Sequence, residues 1–105
     1  MDEVTAELQK DAEIDRVIHE PSRLRIMMVL SGLEVADFKF LLATLGLTKG
    51  NLSTHMDRLE QAGYVRILKG FNGKVTWTRY QLTESGAEAL SNYWKAIDKI
   101  RTLTL

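Results

Sequence analysis

Apolar positions recur at helical spacing along most of this 105-residue chain, and the rhythm changes near residue 64. From about Thr5 to His19, Ile14, Val17 and Ile18 fall at i, i+3 and i+4, which predicts an N-terminal helix. Pro21 ends it, because proline disfavours helical backbone at the preceding residue yet suits the first turn of a new helix. That second helix, "PSRLRIMMVLSG", is apolar on nearly every side through Leu24, Ile26, Met27, Met28, Val29 and Leu30, so it belongs at the centre, with Gly32 as its stop. Val35 suits a very short strand, and Asp37 caps a third helix that runs through Leu45 to Gly46. Thr48 then caps a fourth helix with Leu52, Met56 and Leu59 on one face and Gly63 at its close. Two helices joined so tightly make a helix-turn-helix over 37–62.

Beyond Gly63 the period falls to two. "YVRILKG" and "KVTWTRYQL" flank "FNG", whose Asn72 and Gly73 are a strong signal for a type I′ hairpin. A turn centred there pairs 71 with 74, 69 with 76, 67 with 78, 66 with 79 and 65 with 80, setting Val65, Ile67 and Tyr80 on the core face and Arg66 opposite Arg79. Thr83 opens the last helix, where Gly86, Leu90, Tyr93, Ile97 and Ile100 form a heptad-like stripe with Trp94 beside it. The expected fold is α+β, mostly α, in one domain spanning 1–105: an N-terminal helix (1–20), the helix-turn-helix (37–62), a hairpin (64–82) and a closing helix (83–101). The length supports one core and no second.

Composition narrows the chemistry. With no cysteine, disulfides, thiolate metal sites and cysteine nucleophiles are excluded, and His19 and His55 lie in separate segments. No nucleophile stands with a base, no carboxylates pair in an apolar setting and no phosphate loop is visible, so the reading is a non-enzyme with no catalytic residues, no metal and no cofactor. No run approaches the roughly 18 apolar residues of a membrane span, and the acidic start lacks a signal-peptide pattern, so no membrane partner and a cytoplasmic address are expected. Net charge is zero, but it is unevenly distributed. Residues 1–20 hold seven acids and two bases (−5), whereas 48–80 hold six bases and two acids (+4). A local basic footprint matters for phosphate binding because screening confines each charge to about 8–10 Å.

Three stretches in order carry a resemblance. "EPSRLRIMMVL" is similar to the second helix of ArsR regulators, "NLSTHMDRLEQAGYV" to the recognition helix of MarR regulators, and "YQLTESGAEAL" to the "LTxxG" that ends their wing. Over about residues 10–100 the chain resembles a compact winged-helix transcription regulator of the MarR and ArsR kind. The resemblance implies a winged helix-turn-helix with a β-hairpin wing and long terminal helices for dimerisation. It also implies a homodimer bound to double-stranded DNA, with the helix at about 48–62 in the major groove and the wing at 66–79 on the backbone or minor groove.

The residues agree. With Leu52, Met56 and Leu59 inward, Gly50, Thr54, Asp57 and Gln61 point outward at about 100° per residue, flanked by Asn51, Ser53 and Arg58. Asn51, Ser53, Thr54 and Arg58 are the expected readers of bases and backbone, and Lys49 with the helix's free N–H groups favours phosphate. Asp57 opposes phosphate unless it holds a neighbouring base, and His55 reads as a packing residue. On the wing, an anion between Arg66 and Arg79 would relieve their repulsion, making them a phosphate clamp with Lys69 and Lys74. The wing lacks the Asp and Arg usual at a MarR tip, so Lys69, Asn72 and Lys74 carry over as tip candidates. Leu90, Tyr93, Trp94, Ile97 and Ile100 are the expected dimer seam. Two alternatives stand beside this reading: a winged-helix module that binds protein, which would suit the neutral net charge and Asp57, and a sensor of an apolar small-molecule effector held around Tyr93 and Trp94.

Overall fold

The computed structural model describes residues 13–104. The expected N-terminal helix lies outside the described residues as far as residue 12, and from 13 to 20 the chain is irregular and turn rather than helix. Asp15 gives the physical reason. Its carboxylate accepts the N–H groups of Val17 and Ile18 at 2.9 and 3.2 Å, a local bond that competes with helix formation. Ile18 is nonetheless fully buried, so the apolar spacing located core but not the backbone that delivers it.

Helix α1, Pro21–Ser31, starts where proline's fixed φ places it, with Glu20 in extended conformation as N-cap, its carboxylate accepting the Arg23 N–H at 2.8 Å. Desolvation pushes the Glu20 carboxyl up, but N–H bonds from Arg23 and Ser22 and the nearby His55 and Arg23 charges outweigh it and hold the group below its usual range. Ile26, Met27 and Leu30 of α1 are buried at the centre, whereas Met28 is about half exposed. Strand β1, Ala36–Asp37, is one residue later than Val35, and Asp37 caps α2, Phe38–Leu45, through the Phe40 N–H. Gly46 ends α2, and three residues later α3, Lys49–Gln61, begins behind Thr48, whose hydroxyl accepts the Asn51 N–H at 3.1 Å. Leu52, Met56 and Leu59 are essentially inaccessible and join Ile18, Ile26, Met27, Leu30 and Leu41 in one core.

Strands β2, Val65–Asn72, and β3, Val75–Leu82, form the hairpin, and β1 adds to the far side of β3 in the order β1-β3-β2. The register differs from the expected one: Val65 pairs with Leu82, Ile67 with Tyr80, Leu68 with Arg79, Gly70 with Trp77 and Asn72 with Val75. Arg66 therefore faces Gln81, and the clamp that required Arg66 opposite Arg79 does not form. A type I′ turn centred on Asn72-Gly73 needs positive φ at both, but among the described residues only glycines have positive φ, and Gly73, at +65°, takes the first central position with Lys74 second. Trp77 favours the same outcome. Its ring lies across Gly70, where a Cβ would sit 2.2 Å from the nearest ring atom, so the bulkiest strand residue is set against the one without a side chain. Because the slip amounts to one residue on each strand, the faces are preserved, and Val65 and Tyr80 remain buried as expected.

Helix α4, Glu84–Thr104, closes the domain. Thr83 accepts the Gly86 N–H at 2.9 Å and donates to the Gly63 carbonyl at 2.6 Å, fastening this helix to the exit of α3. Gly86 sits so close that a Cβ would lie 2.2 Å from the Tyr64 carbonyl oxygen. Beside it the Tyr64 phenol donates to Asp15, and that bond, with burial and the carboxylate's charge, pushes the phenol up to about 12 from an ordinary 10.

This linkage has a testable sign. A folded-state pKa above the unfolded value means that the bond's contribution is complete below pH 10 and is lost as pH rises toward 12. Tyr64→Phe should therefore unfold at lower urea than the wild type at pH 8, by about 1 kcal/mol after discounting for solvent screening. The gap should close at strongly alkaline pH, and a gap that persists unchanged there would contradict the linkage.

Candidate nucleic-acid interface

Helix α3 presents two chemically distinct sides. The apolar stripe is buried, and Lys49, Asn51, Ser53, Thr54, Asp57 and Arg58 are exposed, with Gly50 alongside. Thr48 does the capping, which leaves the side chains of Asn51, Ser53 and Thr54 available on the first two turns. His55 is half-buried with its Nδ1 3.3 Å from the Arg23 guanidinium and 3.7 Å from Glu20, a packing position against the start of α1.

The hairpin stands beside this surface. Ser53, Met56 and Asp57 of α3 and Ile67, Lys69 and Tyr80 of the hairpin line one open cleft of about 430 Å³. Burial, and then the charges of Asp57 and Glu60, hold the Tyr80 phenol above its ordinary value. By strand alternation Val65, Ile67, Lys69 and Phe71 share the face turned to α3, and Arg66, Leu68 and Gly70 share the other. The structure thus divides the four wing cations. Lys69 lies on the α3 side and Lys74 in the turn, both exposed, whereas Arg66 and Arg79 lie on the opposite face. Arg79 also has a partner already, its guanidinium carbon standing 4.4 Å from the Trp77 ring centroid. Asn72 pairs with Val75 at the mouth of the turn and is exposed.

Sequence reasoning missed three features here. The Trp77–Arg79 stack joins two residues on one face of β3, and the Gly70–Trp77 pair follows from the register, for which the opposition of a lone strand glycine to a tryptophan was the signal. The third is Phe71, which is 79% exposed at the wing tip.

Of the five residues expected at the seam, Leu90 and Tyr93 are packed within the protomer, at 7% and 5% exposure, and the Tyr93 hydroxyl lies 2.9 Å from His19 Nδ1. Trp94 is 40% exposed and meets Tyr93 edge to face at 5.2 Å, while Ile97 and Ile100 are half-buried. Among the described residues no helix is long and apolar enough to cross a membrane.

A three-residue turn between two helices, a three-stranded sheet ending in an exposed hairpin, and a closing helix define a winged helix-turn-helix protein. The chain matches the winged helix DNA-binding domain family over residues 22–101 and belongs to it. An uncharacterized protein of Methanocaldococcus jannaschii is 35% identical over 79 residues, covering 74% of this chain and 85% of its own. The structure of a transcriptional regulator homologue from Pyrococcus horikoshii superposes with a TM-score of 0.79 at 27% identity, covering 96% of both chains. The YusO protein of Bacillus subtilis shares the fold at 17% identity and a TM-score of 0.70, covering 97% of this chain and 70% of its own. The winged helix-turn-helix expected from the sequence agrees with these likenesses.

Proposed function

We propose that this protein is a sequence-specific, double-stranded DNA-binding transcriptional regulator that acts as a homodimer. One observation carries the reading: α3, whose first two turns expose Asn51, Ser53 and Thr54, lines one cleft through Ser53 and Asp57 with Lys69 of an acid-free hairpin. Short polar side chains at a helix N-terminus fit base edges in the major groove, and the wing lysines fit the flanking phosphates. Family membership supports the DNA partner. Enrichment of a defined duplex from a random pool by the purified protein tests the reading, and recovery of no preferred sequence would oppose it.

Dimerisation would place two α3 helices on a pseudo-palindromic site. The α4 surface offered to a second copy centres on Trp94, since Leu90 and Tyr93 are already buried. Sedimentation equilibrium at micromolar concentration should give a dimer for the wild type and a monomer for Trp94→Glu, because a carboxylate in an apolar seam has no partner. Trp94 is exposed enough that helix content should not change in the variant. A monomeric wild type would contradict this part of the proposal.

A further inference from the structure

The wing tip carries an apolar feature that neither the fold nor phosphate binding requires. Phe71 and Val75 are 79% and 68% exposed, on opposite faces of the hairpin end, with side-chain-free Gly73 between them in sequence. So exposed a phenyl ring contributes little to folding, and in an isolated hairpin tip it is a solubility cost. Its surroundings are cationic, with Lys69 on the same face and Lys74 in the turn, and no acidic residue between Glu60 and Glu84.

Resting on the DNA-binding reading above, we propose that Phe71 is a wedge: the wing enters the minor groove, Lys69 and Lys74 hold the flanking phosphates, and the Phe71 ring inserts at a base step and kinks the duplex. Three observations lead there. Phe71 shares its face with Ile67 and Lys69, which line the cleft with α3, so a duplex docked on α3 lies on the side to which this ring points. It stands two residues, about 7 Å, beyond Lys69 along the strand, the order needed for a cation on the phosphate rim and an apolar group deeper in the groove. Its chemistry is right as well: the groove is about 6 Å wide, its apolar content is the base stack, and phenylalanine is among the side chains that unstack a step from this side. An anionic membrane would also offer phosphate over an apolar interior, but it would leave the amide and hydroxyl face of α3 without a role.

The test uses the duplex selected by the full-length protein, labelled with a donor and an acceptor at its ends and with 2-aminopurine at successive steps in the region under the wing. Wild-type protein should raise energy transfer and brighten 2-aminopurine severalfold at one step. Phe71→Ala should lose both signals at saturation while keeping its preference for the selected site, and Phe71→Leu should retain most of the bend. Lys74→Ala should weaken binding yet bend the duplex once saturated. Circular dichroism matching the wild type would show that these exposed substitutions leave the fold intact. A Phe71→Ala protein that bends DNA like the wild type overturns the wedge, as does a wild type that binds without bending or brightening. A variant with unaltered bending that loses binding to phosphatidylserine vesicles overturns it in favour of a membrane surface. A wild type that binds no duplex removes the DNA reading itself.

Discussion

Raising the salt from 50 to 200 mM should weaken duplex binding on the order of a hundredfold for each protomer engaged, with a slope of log affinity on log salt near −3.6. The figure follows from four cations, Lys49 and Arg58 on α3 with Lys69 and Lys74 on the wing, each neutralising a phosphate and releasing about 0.9 of a counterion. Arg66 and Arg79 are left out because strand alternation puts them on the hairpin face turned away from α3, and Arg79 is stacked on Trp77. Lys69→Ala and Lys74→Ala should each make the slope shallower by about one, whereas Arg66→Ala and Arg79→Ala should leave it unchanged. The prediction therefore depends on which hairpin face meets the duplex. Were Arg66 and Arg79 also to reach phosphate, six cations would count and the slope would lie near −5.4. Fluorescence anisotropy over that salt range distinguishes the two, and an affinity indifferent to salt would contradict both.

The second large effect separates reading from positioning. Asn51→Ala and Thr54→Ala should each cost about 1–3 kcal/mol at the preferred duplex, roughly ten- to hundredfold, and almost nothing on random DNA. A lost base contact removes discrimination while the phosphate attraction persists. The substitutions should not act through the fold, because both side chains are exposed and surface changes usually stay within about 0.5 kcal/mol. The neighbouring stripe behaves oppositely: truncating Leu52 or Leu59, buried at 0% exposure, would remove about 2–5 kcal/mol of stability and confuse folding with binding. The exposed polar face of α3 is thus where mutation reports on recognition.

How much of this was legible in the sequence depended on whether a local rule had a competitor. Pro21, Asp37, Gly46 and Thr48 punctuate α1 to α3 by fixed backbone geometry or short capping bonds, and each acts where the sequence places it. Asp15 shows the opposite case. Helical spacing at Ile14, Val17 and Ile18 competes with an Asp carboxylate able to satisfy the same N–H groups, and in the described residues the side chain wins. In the wing, alternation fixed which residues face the core but could not fix the register, because a slip of one residue on each strand leaves every face unchanged. Only the turn's φ values and the Gly70–Trp77 pair distinguish the alternatives. Along α4 a stripe spaced by threes and fours looks the same whether it meets its own core or a second copy. Leu90 and Tyr93 meet the core, and Trp94 beside them remains exposed. The cleft joining α3 to Lys69 depends on tertiary placement, so its two walls were readable and their union was not.

In the proposed complex α3 reads sequence while the wing positions the protein. Dissociation constants for wild type, Asn51→Ala, Thr54→Ala and Lys74→Ala, each on the selected duplex and on a scrambled duplex at one salt concentration, test it most directly. The account predicts that the Asn51 and Thr54 variants lose the ratio between the two duplexes by roughly ten- to hundredfold, whereas Lys74→Ala weakens both alike and keeps the ratio. Equal losses on both duplexes for Asn51→Ala and Thr54→Ala would contradict it.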